Sequence, residues 1–358
     1  MSGWNDGWLV PIIFVGLCTM SFLWTWATAP GFNARDKHVL ISGGTKGIGL
    51  AIAKKYVQAG AKLSLVGRSM ARLEHARAEI QQSGELSSSH PVFLAACDIS
   101  DIEQVETAIA QANAFHERVT DHVVHAAIIT TPGLAWVQDL AQMRKDTGTT
   151  YFGAVNLFRS ATPAMVESDV RGNFVIVSPA VDVFTSSVGS SAFSGPLIGL
   201  RGLAESLRNE LLPMGIAVSM YYPGKVSSGS STRHCAHASM NSDCLAICNS
   251  PTAGSDEINY DFAAMKDALS PSPLDLDVAA QNLFDGLRAG YFLITNSWSG
   301  FCYRVASAGI TPRKVLVFEF TLAFFMIPYF EISRLLRERH AKRTAPSSVS
   351  RFTQETAF

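Results

Sequence analysis

The chain has 358 residues, enough for one large α/β domain with appendages or for two modest ones, and 47% of it is apolar against 16% charged. A formal net charge of −1 provides no global positive field and argues against a nucleic-acid binder. The six cysteines (Cys18, Cys97, Cys235, Cys244, Cys248 and Cys302) are too sparse for a disulfide scaffold.

From Trp8 to Ala29 no residue is charged, and Trp, Phe, Leu, Ile and Val dominate. Such a run is long enough to cross a hydrocarbon layer of about 30 Å as a helix. A cleaved signal peptide fits less well, because the leader carries Asp6 and no basic residue and the apolar run is too long. A buried soluble helix suits a shorter segment. Arg35 and Lys37 follow the run while only Asp6 precedes it, so the positive-inside rule places the globular body in the cytosol. Residues 1–34 are therefore expected to form a transmembrane anchor.

From His38 onward short β-rich apolar runs alternate with amphipathic stretches, the pattern of a doubly wound, Rossmann-type parallel sheet, and no repeat interrupts it. The predicted strands are His38–Ser42, Leu63–Val66, Val92–Ala96, His122–Ala126, Phe174–Val177, Ala217–Tyr221 and Tyr291–Thr295. Helical stretches between them include Ile48–Ala59, Ala71–Gln82, Ile102–Ala114 and Leu200–Leu212. Cys97, at the end of the third strand, reads as a buried thiol.

The first strand runs directly into Ser42-Gly43-Gly44-Thr45-Lys46-Gly47-Ile48-Gly49, and a helix follows. Glycines let a backbone approach a pyrophosphate, and a helix N-terminus offers free N–H groups and the positive end of its dipole. A lone glycine run is weak evidence; the strand before it and the helix after it are the context that makes it specific. The second strand ends in Val66-Gly67-Arg68, without the acid that would accept hydrogen bonds from a free ribose 2′-hydroxyl. Arg68 offers a fork for a 2′-phosphate, and Lys46 and Arg72 add charge, so NADPH is the expected cofactor.

The chain between Lys225 and Pro273 is rich in Ser, Asn and Asp with little periodicity, as in a lid or substrate-binding insertion at 225–273. Within it His234, Cys235, His237, Cys244 and Cys248 match none of the common zinc spacings, and no metal site is expected. The block Val315–Ile332 contains Glu319, Pro328 and Glu331 and has basic residues on both flanks. That pattern favours both ends staying cytosolic, as in a helix lying in the membrane interface or a bent re-entrant element, over a second span. The expected organisation is an anchor at 1–34, the nucleotide-binding domain at 35–300, a membrane-associated segment at 301–343 and a disordered tail at 344–358.

Gly43, Thr45, Gly47, Ile48 and Gly49 in the turn, Arg68, Asp98 after the third strand, and Pro223-Gly224 after the sixth resemble the short-chain dehydrogenase/reductases. Within that family the helix from Leu200 to Leu211, the hydrophobic N-terminus and the apolar block near the C-terminus are most similar to 3-ketodihydrosphingosine reductases. The resemblance implies hydride transfer from NADPH to a ketone of a long-chain lipid, at the endoplasmic reticulum membrane. It also implies a Tyr that protonates the developing alkoxide, a Lys four residues later that lowers the Tyr pKa, a Ser that orients the carbonyl and an Asn in a proton relay.

At those positions this sequence departs from the family. Phe193 stands for the Tyr and Leu197 for the Lys. Pro179 or Ala180 stands for the Ser, with Ser178 adjacent, and Thr150 stands for the Asn. The usual Asn-Ala-Gly after the fourth strand reads His125-Ala126-Ala127-Ile128. Tyr221 and Lys225 have the four-residue spacing, but Pro223 and Gly224 between them forbid a shared helical face. Ser178, Ser190, Ser191 and Tyr151 remain as substitute proton sources. Two functions follow: a reductase of a sphingoid-like 3-keto lipid, or a cofactor-binding pseudoenzyme that regulates or scaffolds a protein partner.

Overall fold

The computed structural model describes residues 15–16, 19–20, 32–82, 91–129, 131, 133, 135–136, 138–179, 191–224, 226, 274–297, 300–301, 304–305 and 322. Most of the N-terminal apolar run, Ala180, Ser190, Lys225, the rest of the insertion with its His and Cys residues apart from Val226, and the tail lie outside them. So does the apolar block near the C-terminus apart from Leu322.

Seven parallel strands form one sheet: β1 (His38–Ser42), β2 (Lys62–Gly67), β3 (Phe93–Ala96), β4 (His122–His125), β5 (Asn173–Val177), β6 (Ala217–Tyr222) and β7 (Leu293–Thr295). Their order is β3-β2-β1-β4-β5-β6-β7, so the winding reverses between β1 and β4, where ligands of open α/β sheets bind. The helices are α1 (Gly47–Gln58), α2 (Met70–Gln82), α3 (Ile102–His116), α4 (Leu140–Thr147), α5 (Gly153–Glu167), α6 (Ser191–Leu211) and α7 (Leu276–Arg288).

The expected sheet is present because its central strands are covered on both faces and can be apolar throughout. All five residues of β1 and of β5 are buried. Successive side chains go to opposite faces: Val39 and Ile41 join the core under α1, α2 and α7, while Leu40 joins the core under α3, α5 and α6. Three helices begin on an aspartate whose carboxylate accepts from backbone N–H groups: Asp101 from Glu103 at 3.0 Å, Asp139 from Ala141 at 3.0 Å and Asp275 from Asp277 at 2.8 Å. A cap of this kind contributes about 1 kcal/mol. Helix α1 has no side-chain cap and no acid in its first turn.

Most boundaries agree with the sequence reading to within two residues, but α6 starts at Ser191, well before Leu200, and runs through Pro196. Proline there removes one helical hydrogen bond. Burial of Phe193, Leu197, Leu200, Ala204, Leu207 and Leu211 at helical spacing outweighs that loss. Periodicity alone does not single out α4 and α5, which are joined through a π-helical turn at Gly148–Phe152.

Candidate functional site

The glycine turn leaves β1 at the switch point and delivers the chain into the uncapped start of α1. Gly43 has φ +76°, and a Cβ there would sit 2.6 Å from the Ala126–Ala127 peptide, so the turn packs directly on the chain leaving β4. A Cβ on Gly49 would collide with the Gly43 carbonyl. Both positions exclude any larger residue, whereas Gly47 opens the helix with no heavy atom within 4 Å of the space a Cβ would fill. The backbone N–H groups at the start of α1 are thus approachable from the side where a phosphate would lie.

Lys46 in the turn has Arg72 nearby, and Arg68 follows the end of β2. Thr45 lies against the end of β2, its methyl 3.8 Å from a Cβ built on Gly67. Lys46, Arg68 and Arg72 are exposed. Partial burial, and then the nearby Arg72 guanidinium, hold the Lys46 ammonium below its ordinary pKa. Among the described residues none of the three forms an ion pair. Asp98 follows β3, with its carboxylate turned onto the Ser100 amide (3.0 Å) and hydroxyl (2.8 Å). Cys97 beside it is buried, and desolvation pushes its thiol up to about 11. Pro223 and Gly224 leave the end of β6, where the Gly224 N–H donates to Asn296 at 2.6 Å and Asn296 in turn donates to the Tyr221 hydroxyl at 3.0 Å. Sequence reasoning does not find Asn296, because only the pairing of β7 with β6 brings it there.

On the other side of the switch point, Phe193 and Leu197, the residues expected at the family's Tyr and Lys positions, lie in the core. Phe193 is 8% exposed and Leu197 0%, both in one apolar cluster with Ile128, Leu200 and Tyr222. Thr150 lies in the π-helical turn, where its hydroxyl donates to the Ile129 carbonyl at 3.1 Å and accepts from the Ile129 N–H at 3.1 Å. His125 bridges this turn to β1: Nε2 donates to the Thr150 carbonyl at 3.0 Å, so Nδ1 accepts from the Ser42 hydroxyl at 3.0 Å. Complete burial holds this imidazole neutral, with its pKa lowered to about 4. Thr150 is therefore committed to structure.

The substitute donors are scattered. Ser178 lies at the end of β5, 0% exposed, and its Oγ has no hydrogen-bond partner among the described residues. Tyr151 is half-buried with its ring against Gly199, and Ser191 is exposed at the start of α6. Tyr221 donates its hydroxyl to the Ala279 carbonyl at 2.7 Å beneath the sheet. Among the described residues no group of three or more His, Cys, Asp or Glu side chains is placed to hold a metal.

This arrangement has known relatives. The chain is 31% identical over 201 residues to a PIGF/3-ketodihydrosphingosine reductase fusion protein of Schizosaccharomyces pombe, covering 55% of this chain and 39% of the relative. It thus spans less than half the length of that relative. It is 26% identical over 283 residues to the 3-dehydrosphinganine reductase TSC10B of Arabidopsis thaliana, covering 77% of this chain and 75% of the relative. Among solved structures, a short chain dehydrogenase/reductase from Burkholderia phymatum in complex with NAD superposes with a TM-score of 0.62 at 17% identity, over 77% of this chain and 94% of its own, a likeness of fold. The short chain dehydrogenase family profile matches residues 37–237, more than half of the chain: the chain belongs to the short chain dehydrogenase family.

Proposed function

We propose that this chain is a membrane-associated, NADPH-binding relative of the sphingoid-base 3-keto reductases, whose ordinary ketone reduction is silenced. The observation that carries the reading is the contrast within one site. The phosphate turn is complete, while the positions of the proton donor and its tuning cation are Phe193 and Leu197, both buried in the core. A dinucleotide fits the residues present. The uncapped first turn of α1 would hold the pyrophosphate, and Lys46, Arg68 and Arg72 would hold a ribose 2′-phosphate. When bound, NADPH supplies a hydride for a ketone carbon; the matching proton has no evident source at the family's positions. The relatives named as 3-ketodihydrosphingosine and 3-dehydrosphinganine reductases support a long-chain base or a similar lipid as the second ligand. A second reading, an active reductase with a different proton donor, is favoured by one observation: the buried, unpartnered hydroxyl of Ser178.

The cofactor assignment is tested by titration. NADPH should bind at least about tenfold more tightly than NADH, roughly 1.4 kcal/mol, and Arg68→Ala should erase most of that preference. Equal affinities for the two nucleotides would overturn it.

Membrane association rests on the uncharged run from Trp8 to Ala29. Val15, Gly16, Thr19 and Met20 within it are helical, and Val15 and Met20 are 58% and 66% exposed, as lipid-facing side chains are. Among the described residues no helix is long and apolar enough to cross a membrane. The proposed organisation is an anchor at 1–34, a cytosolic domain at 35–300 carrying the 225–273 insertion, and an interfacial segment at 301–343, in the endoplasmic reticulum. Protease added to sealed microsomes should digest the domain and spare only a short N-terminal fragment. Protection of the whole domain would reverse the orientation, and release by alkaline carbonate would remove the span.

A further inference from the structure

A dinucleotide at the switch point of an open sheet lies across the C-terminal ends of the strands, one nucleoside on each side of the reversal. In this chain the two sides are unequal. Over β1 and β2 stand Lys46, Arg68 and Arg72, exposed and without ion-pair partners among the described residues, beside the uncapped start of α1. Past the reversal are Ile128 (7% exposed), just after β4, and Phe193 (8%) and Leu197 (0%), on the helix that packs against β6 and the π-helical turn. Among the described residues, Thr150 and Ser178 on that side are already engaged or enclosed. Both heteroatoms of Thr150 are bonded to the chain and to His125, and Ser178 is 0% exposed. The first cation along α6, Arg201, pairs with Glu205 at 3.2 Å.

A phosphate facing three unpaired cations and free helix amides gains charge-assisted hydrogen bonds. With Phe193 and Leu197 enclosed in the core, neither offers a hydrogen bond to a ribose diol on the other side, which still gives up water on binding. We infer that this site, on the reading that it binds NADPH, recognises the 2′-phosphoadenosine diphosphate portion alone and is indifferent to the second nucleoside. Its ligand class is then 2′-phosphoadenosine nucleotides in general, and the bound species reports the supply of those nucleotides instead of their redox state. A protein of this kind has the properties of a nucleotide-responsive regulator that shares its ligand with active reductases.

Isothermal titration of the full-length protein in detergent tests this with three probes: NADPH, NADP⁺ and 2′-phosphoadenosine 5′-diphosphate, which lacks the second ribose and the nicotinamide. The three dissociation constants should agree within about fivefold, and Lys46→Ala should weaken all three by a common factor. Binding of NADPH more than fivefold tighter than the truncated nucleotide would overturn the inference while leaving the NADPH site intact. So would a Lys46→Ala loss confined to one probe. Failure of all three to bind would remove the nucleotide site itself, and the inference with it.

Discussion

Purified protein supplied with NADPH and 3-ketodihydrosphingosine should turn the ketone over undetectably, or several orders of magnitude more slowly than a relative that keeps the Tyr and Lys. Ketone reduction needs a proton at the oxygen, and a placed general acid contributes about 10²–10⁴-fold. Phe193 has no proton to give, and Leu197 has no charge with which to lower the pKa of a borrowed donor. The surroundings deepen the loss. Thr150 is tied at both heteroatoms, and the imidazole of His125 is fully occupied by Ser42 and Thr150, so neither is free to pass a proton.

The variant Phe193→Tyr/Leu197→Lys should restore part of the activity. Its rescue will be incomplete, because an ammonium at Leu197 enters a position now 0% exposed and packed among Leu200 and Ile128. Wild-type turnover on the order of 1 s⁻¹ or more would overturn the silenced reading. Ser178→Ala would then be the decisive variant, since its buried hydroxyl is the donor without a partner among the described residues.

How far the sequence alone reaches depends on whether a feature is local. The glycine turn was legible because its requirement is steric and contiguous: Gly43 and Gly49 must lack a Cβ where the backbone meets itself and β4. The strands were legible because central parallel strands are buried on both faces and stand out as apolar runs, β1 to the residue. Phe193 and Leu197 were legible as losses, but their destination was not. Only the continuation of α6 through Pro196 shows them, four residues apart, turned into the core. Long-range polar ties were invisible. His125 reaches Ser42 across 83 positions and Thr150 across 25, and Asn296 reaches Gly224 across 72. No spacing rule in one sequence encodes such pairs; tertiary packing creates them.

Acid should destabilise this domain steeply, beginning below about pH 6.5 and well above the range where carboxylates titrate. Among the described residues four histidines are buried: His38 (0% exposed), His116 (5%), His122 (4%) and His125 (2%). At the base of the sheet three of their nitrogens form a directed chain. His116 Nε2 donates to the Ser64 hydroxyl at 3.1 Å, the hydroxyl donates to His38 Nε2 at 2.9 Å, and His38 Nδ1 donates to the Arg118 carbonyl at 3.1 Å. That chain requires the His38 ring to be neutral, since its Nε2 accepts. Burial, and then the nearness of His116, lower His38 to about 3. Burial foremost lowers His122 and His125 to about 4 and holds His116 below its ordinary value. Lys62, Lys37 and Arg118 face this region as cations. Asp121 answers them, with Asp36 also near Arg118; Asp121 is kept below its ordinary pKa, against the effect of its burial, by hydrogen bonds from Arg118, the His38 amide and Lys37.

The sign follows from which state binds the proton. Above about pH 7 the four imidazoles are neutral both folded and unfolded, and they contribute no pH dependence. As pH falls below about 6.5 the unfolded chain takes up protons that the folded chain refuses, so stability drops with pH until the folded values near 4 and 3 are reached. Each histidine contributes a slope of at most about 1.4 kcal/mol per pH unit, so four set a ceiling of roughly 5 kcal/mol per unit. The stabilisation that Asp121 derives from its cations is lost only below its ordinary range of about 4, in a separate and more acidic window. Urea midpoints measured from pH 8 to pH 5 should be level down to about 7 and then fall sharply. His125→Asn, which places the family's residue there, should reduce the slope by up to roughly a quarter, one titrating group of four. A midpoint unchanged between pH 7.5 and pH 5 would mean that the buried imidazoles acquire protons without cost, and the neutral chain from His116 through Ser64 to Arg118 would have to be abandoned.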